Sequence, residues 1–164
     1  MFLIAAVAAV GLGLGDATPV PAELEVYASL SGYNLLWPTA RCCAFQLPLK
    51  AGGELTTTLQ LDEGRVTTKS RVSADELRSL QRVLEQAKFF NLPAEVGSMP
   101  VDGDEHRIQV RLGKRAHKVT LFDWPDDWAR APYLSQRELE RTRRAYAVWH
   151  AIRALVKDPR ATVP

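Results

Sequence analysis

Alternating hydrophobic and polar residues predict two copies of one unit, in which a β-hairpin is followed by an amphipathic helix. The first copy runs from Leu55 to Phe90 and the second from Glu105 to Lys157. In each copy, two alternating segments flank a Gly-containing turn, and a Ser-x-x-Glu sequence typical of a helix N-terminus follows. This pattern predicts one α+β domain, with an antiparallel sheet of about six strands and two helices packed on one face.

The hairpin of the first copy has one largely apolar face and one polar, charged face. Pairing Leu61 with Val66 leaves residues 62–65 as a four-residue loop, which is a common hairpin length. The helix that follows begins with a capping box formed by Ser73 and Glu76. The hairpin side chains expected to face solvent are Thr58, Gln60, Arg65, Lys69 and Arg71.

A two-residue turn at Gly113-Lys114 sets the register of the second hairpin, because it pairs His106 with Leu121. Residues 94–104 and 123–134 are predicted to be loops. The last helix begins at a second capping box, Ser135 to Glu138. Its side chains expected in the core are Leu139, Ala145, Val148, Trp149, Ile152 and Leu155.

Two further strands precede the first copy. The segment from Leu24 to Leu30 alternates strictly, and the segment from Cys43 to Leu49 alternates again. Pro48 lies inside the second of these segments, and proline has no N–H group to donate to a neighbouring strand. The second segment is therefore predicted to be an edge strand.

The first residues of the chain suggest export. Residues 2–15 carry no charge, which fits the apolar core of a signal peptide better than a membrane span of about 20 residues. Residues 1–17 are the predicted signal peptide, 18–22 a linker, 23–158 the domain and 159–164 a tail. No Lys or Arg precedes the apolar core, which leaves a buried N-terminal helix or a retained short anchor as alternatives. The predicted location is secreted or periplasmic, with no stable membrane span in the mature chain.

The composition is that of an ordinary globular protein. Hydrophobic residues make up 46% of the chain and charged residues 24%, and the formal net charge is +2. So small a net charge gives no reason to expect nucleic acid as a partner. The expected partner is another protein, and no cofactor is predicted.

The residues that commonly carry chemistry form no recognisable motif. Cys42 and Cys43 could form a strained vicinal disulfide, pair with another chain, or remain free thiols on opposite faces of a strand. The hairpin register places His106 and His117 about 13 Å apart along the strands, which is too far for one metal ion. The sequence therefore predicts neither a metal site nor a catalytic residue.

Two surface features remain as candidate binding sites. Large aromatic side chains on loops often anchor protein contacts, although here the Trp side chains could instead cover a sheet edge. The binding residues predicted on that basis are Trp124, Asp126, Asp127, Trp128 and Tyr133. The second feature is a group of Arg side chains on the last helix, at positions 137, 141, 143 and 144, for which pairing with nearby Glu residues is the simpler interpretation.

Several segments resemble emfourin-type proteins. They are the run from Leu77 to Pro93 that contains Ala-Lys-Phe-Phe-Asn-Leu-Pro, the segment Ile108-x-Val110, the run from Ala116 to Val119, and Asp123. The resemblance covers about residues 55–155 and rests mostly on core positions. It implies either an inhibitor of thermolysin-like metalloproteases or a small secreted bacterial domain of unknown function.

The sequence thus favours an exported, non-enzymatic protein-binding module, with protease inhibition as one form of that function. One alternative is an enzyme whose site is not marked by a motif. The other is a binder of anions or nucleic acid that uses the Arg side chains of the last helix.

Overall fold

The computed structural model describes residues 23–31, 44–61, 64–97, 105–122 and 134–157. The predicted signal peptide, linker and tail lie outside these ranges. The strands are β1 Leu24–Ser31, β2 Ala44–Leu49, β3 Glu54–Leu61, β4 Gly64–Arg71, β5 Glu95–Val96, β6 Glu105–Leu112 and β7 Arg115–Phe122. The helices are α1 Ala74–Gln86 and α2 Gln136–Arg153, and a short 3-10 helix lies at Phe89–Asn91.

The strands form one sheet of seven strands in the order β4-β3-β2-β1-β6-β7-β5. Every neighbouring pair is antiparallel except β5 and β7, which are parallel. The prediction of an α+β fold is confirmed, and the strand count is seven rather than six. The additional strand is β5, which lies within the predicted loop 94–104 and has only two residues. A two-residue strand is too short to show alternation in the sequence.

The register of the second hairpin is confirmed, with His106 opposite Leu121 across a two-residue turn. The register predicted for the first hairpin is wrong by two residues. Leu61 pairs with Gly64 rather than with Val66, so this turn also has two residues rather than four. A shift of two residues leaves every side chain on its predicted face, because side chains alternate with a period of two.

The prediction that Pro48 marks an edge strand is wrong, because β2 pairs with both β1 and β3. The ladder between β2 and β3 contains the pairs Gln46–Thr58 and Leu49–Leu55 but no pair at residues 47 and 48. The missing N–H of Pro48 is thus accommodated by a local interruption of one ladder inside the sheet.

One hydrophobic core joins the inner face of the sheet to both helices. Leu59, Leu80, Val110 and Ile152, which come from β3, α1, β6 and α2, belong to the same buried cluster. Both predicted capping boxes are present. In the first, the Ser73 N–H donates to the Glu76 carboxylate at 2.7 Å, and this bond is the largest of the causes that lower the pKa of Glu76 to about 2. In the parts of the chain that the structure describes, no helix is long and apolar enough to cross a membrane.

Candidate functional site

The binding residues predicted from the sequence lie outside the described residues, as do Cys42 and Cys43. Their described neighbours, however, share one end of the sheet. Ser31, the last residue of β1, pairs with both Ala44 and Glu105, and Glu105 pairs with Phe122. Phe122, the last described residue before Trp124, and Ala44, the first described residue after Cys43, therefore lie at the same end of the sheet. Three strand spacings, about 14 Å, separate them.

Within the described residues, the feature best suited to binding is the outer edge of β4. This strand has eight residues and pairs on one side with β3, and no described segment pairs with its other side. The Val72 N–H donates to the Gly53 carbonyl at 2.8 Å, so Gly53 and Val72 form a hydrogen-bonded pair at the end of this ladder. Because antiparallel ladders alternate, the even-numbered residues of β4 bond to β3. The N–H and C=O groups that face the open edge therefore belong to Arg65, Thr67, Lys69 and Arg71.

A glycine holds the neighbouring turn against the end of this edge. Gly53 has φ +85°, and a Cβ atom added to it would lie 2.5 Å from the Val72 carbonyl oxygen. Only glycine allows this backbone conformation together with so close an approach. The turn between β2 and β3 is thereby fixed beside Arg71, where Ala51, Gly52, Glu54, Ser70 and Arg71 line an open hollow of about 340 Å³.

The side chains along the edge differ between the two faces of the sheet. On the outer face, Arg65, Lys69 and Arg71 are exposed, and none forms an ion pair with a described residue. On the inner face, Val66, Thr68 and Ser70 are only half-buried. The strand thus offers a row of cations on one face and an incompletely covered row of small or β-branched side chains on the other.

Cations on the middle strands of the same outer face are paired. The Arg107 Nε atom lies 2.6 Å from a carboxylate oxygen of Glu105, and the Arg111 Nε atom lies 3.4 Å from one of Glu25. The only anion directly opposite a β4 cation in the register is Glu54, which faces Arg71. Among the described residues, Arg65 and Lys69 are therefore the β4 cations with no carboxylate in an ion pair or directly opposite in the register.

Comparison with protein-family models gives no match, and comparison with curated proteins gives no significant match.

Two of the three histidines, His106 and His117, pack within the fold. His106 is buried on the inner face of β6, with its ring centroid 4.6 Å from that of Trp149 and 5.7 Å from that of Tyr146. Burial, aided by the charges of His150 and Arg153, lowers the pKa of His106 to about 4. His117 lies beside Phe89, and its Nε2 atom is 2.8 Å from the Leu92 carbonyl oxygen. Among the described residues, no three His, Cys, Asp or Glu side chains come together as metal ligands.

The Arg side chains of α2 are partly matched by acids. Arg144 pairs with Glu140 at 3.9 Å, whereas Glu138 accepts from Ser135 in the capping box. These hydrogen bonds lower the pKa of Glu138, since they favour its ionised form. The predicted ion pairing is therefore present for Arg144.

Sequence reasoning identified the solvent-facing cations of β4 but did not recognise β4 as an edge. A signal was present, because Lys and Arg at alternate positions of a strand are one of the ways in which proteins protect a sheet edge. Proline, from which the sequence analysis predicts an edge strand, instead lies inside the sheet at Pro48.

Proposed function

We propose that this chain is an exported, non-enzymatic protein-binding module that binds an extended segment of another protein along the outer edge of β4. The observation that carries the proposal is the row of peptide groups at Arg65, Thr67, Lys69 and Arg71, directed away from β3 along a strand of eight residues. A segment added there would satisfy these groups by main-chain hydrogen bonds, as in other cases of strand addition.

The inner face of the edge supports the same proposal. Val66, Thr68 and Ser70 are half-buried, whereas Leu55 and Leu59 on the adjacent strand are almost completely buried. An added strand would place every second side chain beside the β4 residues and extend the apolar face by one strand. Such a strand would therefore gain buried area as well as hydrogen bonds.

A second copy of this chain is a poor occupant of the edge. Two β4 strands that pair antiparallel over most of their length would place Arg65 opposite Arg71 or Lys69. Like charges directly opposite each other in a sheet are destabilising. Since residues of the same charge meet in these registers, the edge opposes pairing with itself and remains open to a different partner.

Thr67→Pro tests the proposal. Proline at position 67 removes an N–H that faces the open edge and leaves the bonds to β3 in place. Peptides selected from a random extended library by the full chain should lose binding to Thr67→Pro and keep it with Thr67→Ala, the matched control. Equal binding by both variants would exclude the β4 edge as the contact surface.

The specific partner suggested by the resemblance to emfourin-type proteins is a thermolysin-like metalloprotease. Addition of the full chain should then reduce the peptidase activity of such an enzyme with one-to-one stoichiometry. Trp124→Ala and Trp128→Ala separate the loop residues from the edge, because inhibition lost in these variants but kept in Thr67→Pro would assign the contact to the loop.

A further inference from the structure

We infer that the segment bound at the β4 edge carries Asp or Glu at alternate positions, on the face that it shares with Arg65, Lys69 and Arg71. This inference rests on the proposed function, and it adds the chemistry of the partner. It follows from the charges of the edge rather than from its hydrogen-bonding groups.

The three cations lie on one face of β4 along its open edge. Their peptide groups face the open edge, and their side chains lie on the outer face of the sheet. In an added strand, the residues directly opposite them would point to the same outer face, with Cβ atoms about 5 Å away. Each cation therefore has one defined position in the partner at which an acidic side chain can reach it.

These cations differ from the cations on the interior strand β6. Among the described residues, carboxylates pair with Arg107 and Arg111 on β6, but none pairs with Arg65, Lys69 or Arg71. Opposite-charge pairs across strands are stabilising, whereas a partner with Lys or Arg at these positions would be repelled. The edge therefore selects acidic strands by attraction and rejects basic strands by repulsion.

The added strand would have a second face, directed to the inner side of the sheet. Its remaining side chains would lie beside Val66, Thr68 and Ser70, which are half-buried and either small or β-branched. Valine and threonine suit such a position because they pack well on a pleated surface. The expected partner motif therefore alternates an acidic residue with a β-branched one over about eight residues, the length of β4.

The test compares three labelled peptides of eight residues that alternate Glu, Gln or Lys with Val, by fluorescence anisotropy with the full chain. The Glu peptide should bind about tenfold more tightly than the Gln peptide, as expected for two or three cross-strand ion pairs, and its affinity should fall with added salt. The Lys peptide should bind most weakly. In the double variant Arg65→Glu/Lys69→Glu, the order of the Glu and Lys peptides should reverse.

The controls distinguish the two proposals. Arg65→Lys/Lys69→Arg should keep the original order, since it preserves the charges. If the Glu and Gln peptides bind equally and both are lost in Thr67→Pro, strand addition holds and the acidic preference is wrong. If no peptide binds, or if Thr67→Pro binds them all as tightly as the wild type does, the proposed function and this inference both fail. Far-UV circular dichroism of each variant establishes that the sheet is intact before binding is compared.

Discussion

The two edges of the sheet are protected in different ways. At the β7 edge, the Thr120 N–H donates to the Ala94 carbonyl at 2.8 Å, and β5 continues the sheet for two residues. The 3-10 helix before β5 places Phe89 in the core. At the β4 edge, no described segment takes up the outward peptide groups, and the exposed charged side chains of the strand discourage association. One edge is covered along part of its length by a packed segment, whereas no described segment covers the other.

This difference shows where a partner can bind without displacing part of the hydrophobic core. Covering the β7 edge is part of the fold, because the covering segment also contributes Phe89, Leu92 and Val96 to the core. Adding a strand at β4 displaces nothing among the described residues. The comparison therefore predicts large effects on stability at the β7 edge and small ones at the β4 edge.

The largest effect is expected from Phe89→Ala. Phe89 is completely buried, and its loss should lower the free energy of unfolding by about 3–5 kcal/mol. Urea unfolding followed by circular dichroism measures the change. Phe90→Ala is the matched control, since Phe90 is half-buried and its ring lies 4.1 Å below the Arg115 guanidinium. If Phe90→Ala lowers the free energy of unfolding as much as Phe89→Ala does, Phe89 does not anchor the covering segment.

Acid should lower the stability of the fold through His106, which lies on β6 in the half of the sheet that has the covered edge. The pKa of His106 is about 4 in the folded chain and 6.5 ordinarily, so the unfolded chain binds the extra proton between these values. Above about pH 6.5, His106 is neutral in both states and does not reduce the free energy of unfolding. As the pH falls, proton binding by the unfolded chain should lower this free energy by about 2 kcal/mol at pH 5 and about 3 kcal/mol below pH 4. Urea midpoints at pH 7.5 and pH 5 measure it. His106→Phe should show a smaller drop, and an equal drop would assign the acid sensitivity to other groups.

An intermediate effect is expected from His117→Ala. This change removes the bond from the His117 ring to the Leu92 carbonyl and leaves that carbonyl without its partner, which should cost about 1–2 kcal/mol. Lys118→Ala, at an exposed neighbouring residue, should change stability by less than about 0.5 kcal/mol. Similar values for the two variants would show that the hydrogen bond does not hold the covering segment.

The smallest effect is expected from Thr67→Pro. Because its N–H faces the open edge, proline here leaves the bonds to β3 in place, and the fixed φ and the loss of the 3.3 Å contact with the Thr58 hydroxyl should lower the free energy of unfolding by only about 1 kcal/mol. Thr68→Pro, one residue further, removes a bond to β3 and should cost clearly more. Equal losses would reverse the assignment of inward and outward peptide groups in β4. Hydrogen exchange gives an independent check, since the Thr67 amide should exchange faster than the Thr120 amide.

The local elements could be predicted from the sequence because their signals are local. The helices at Ser73 and Ser135 begin where a capping box precedes an amphipathic stretch, and the second hairpin turns at a glycine flanked by alternating strands. The first hairpin was placed on the correct faces but in the wrong register, since two pairings that differ by two residues satisfy the same alternation.

The candidate site could not be predicted as a site. The sequence placed Arg65, Lys69 and Arg71 on a solvent-facing surface, and this is what the structure shows. Whether a strand lies at an edge depends on which distant segments pair beside it. The alternating cations of β4 are compatible with an edge but do not require one, since the interior strand β6 also carries Arg107 and Arg111 on its solvent face.

The α+β class, the two capped helices and the polar face of each strand can be predicted from the amino-acid sequence, since these follow from side-chain periodicity and interactions within a few residues. Three features are visible only in the folded chain: β2 lies inside the sheet despite Pro48, Glu95–Val96 pairs beside β7, and β4 forms the other edge. These features depend on backbone hydrogen bonds between segments far apart in the chain. Backbone groups are the same in almost every residue, so their pairing leaves little trace in the sequence.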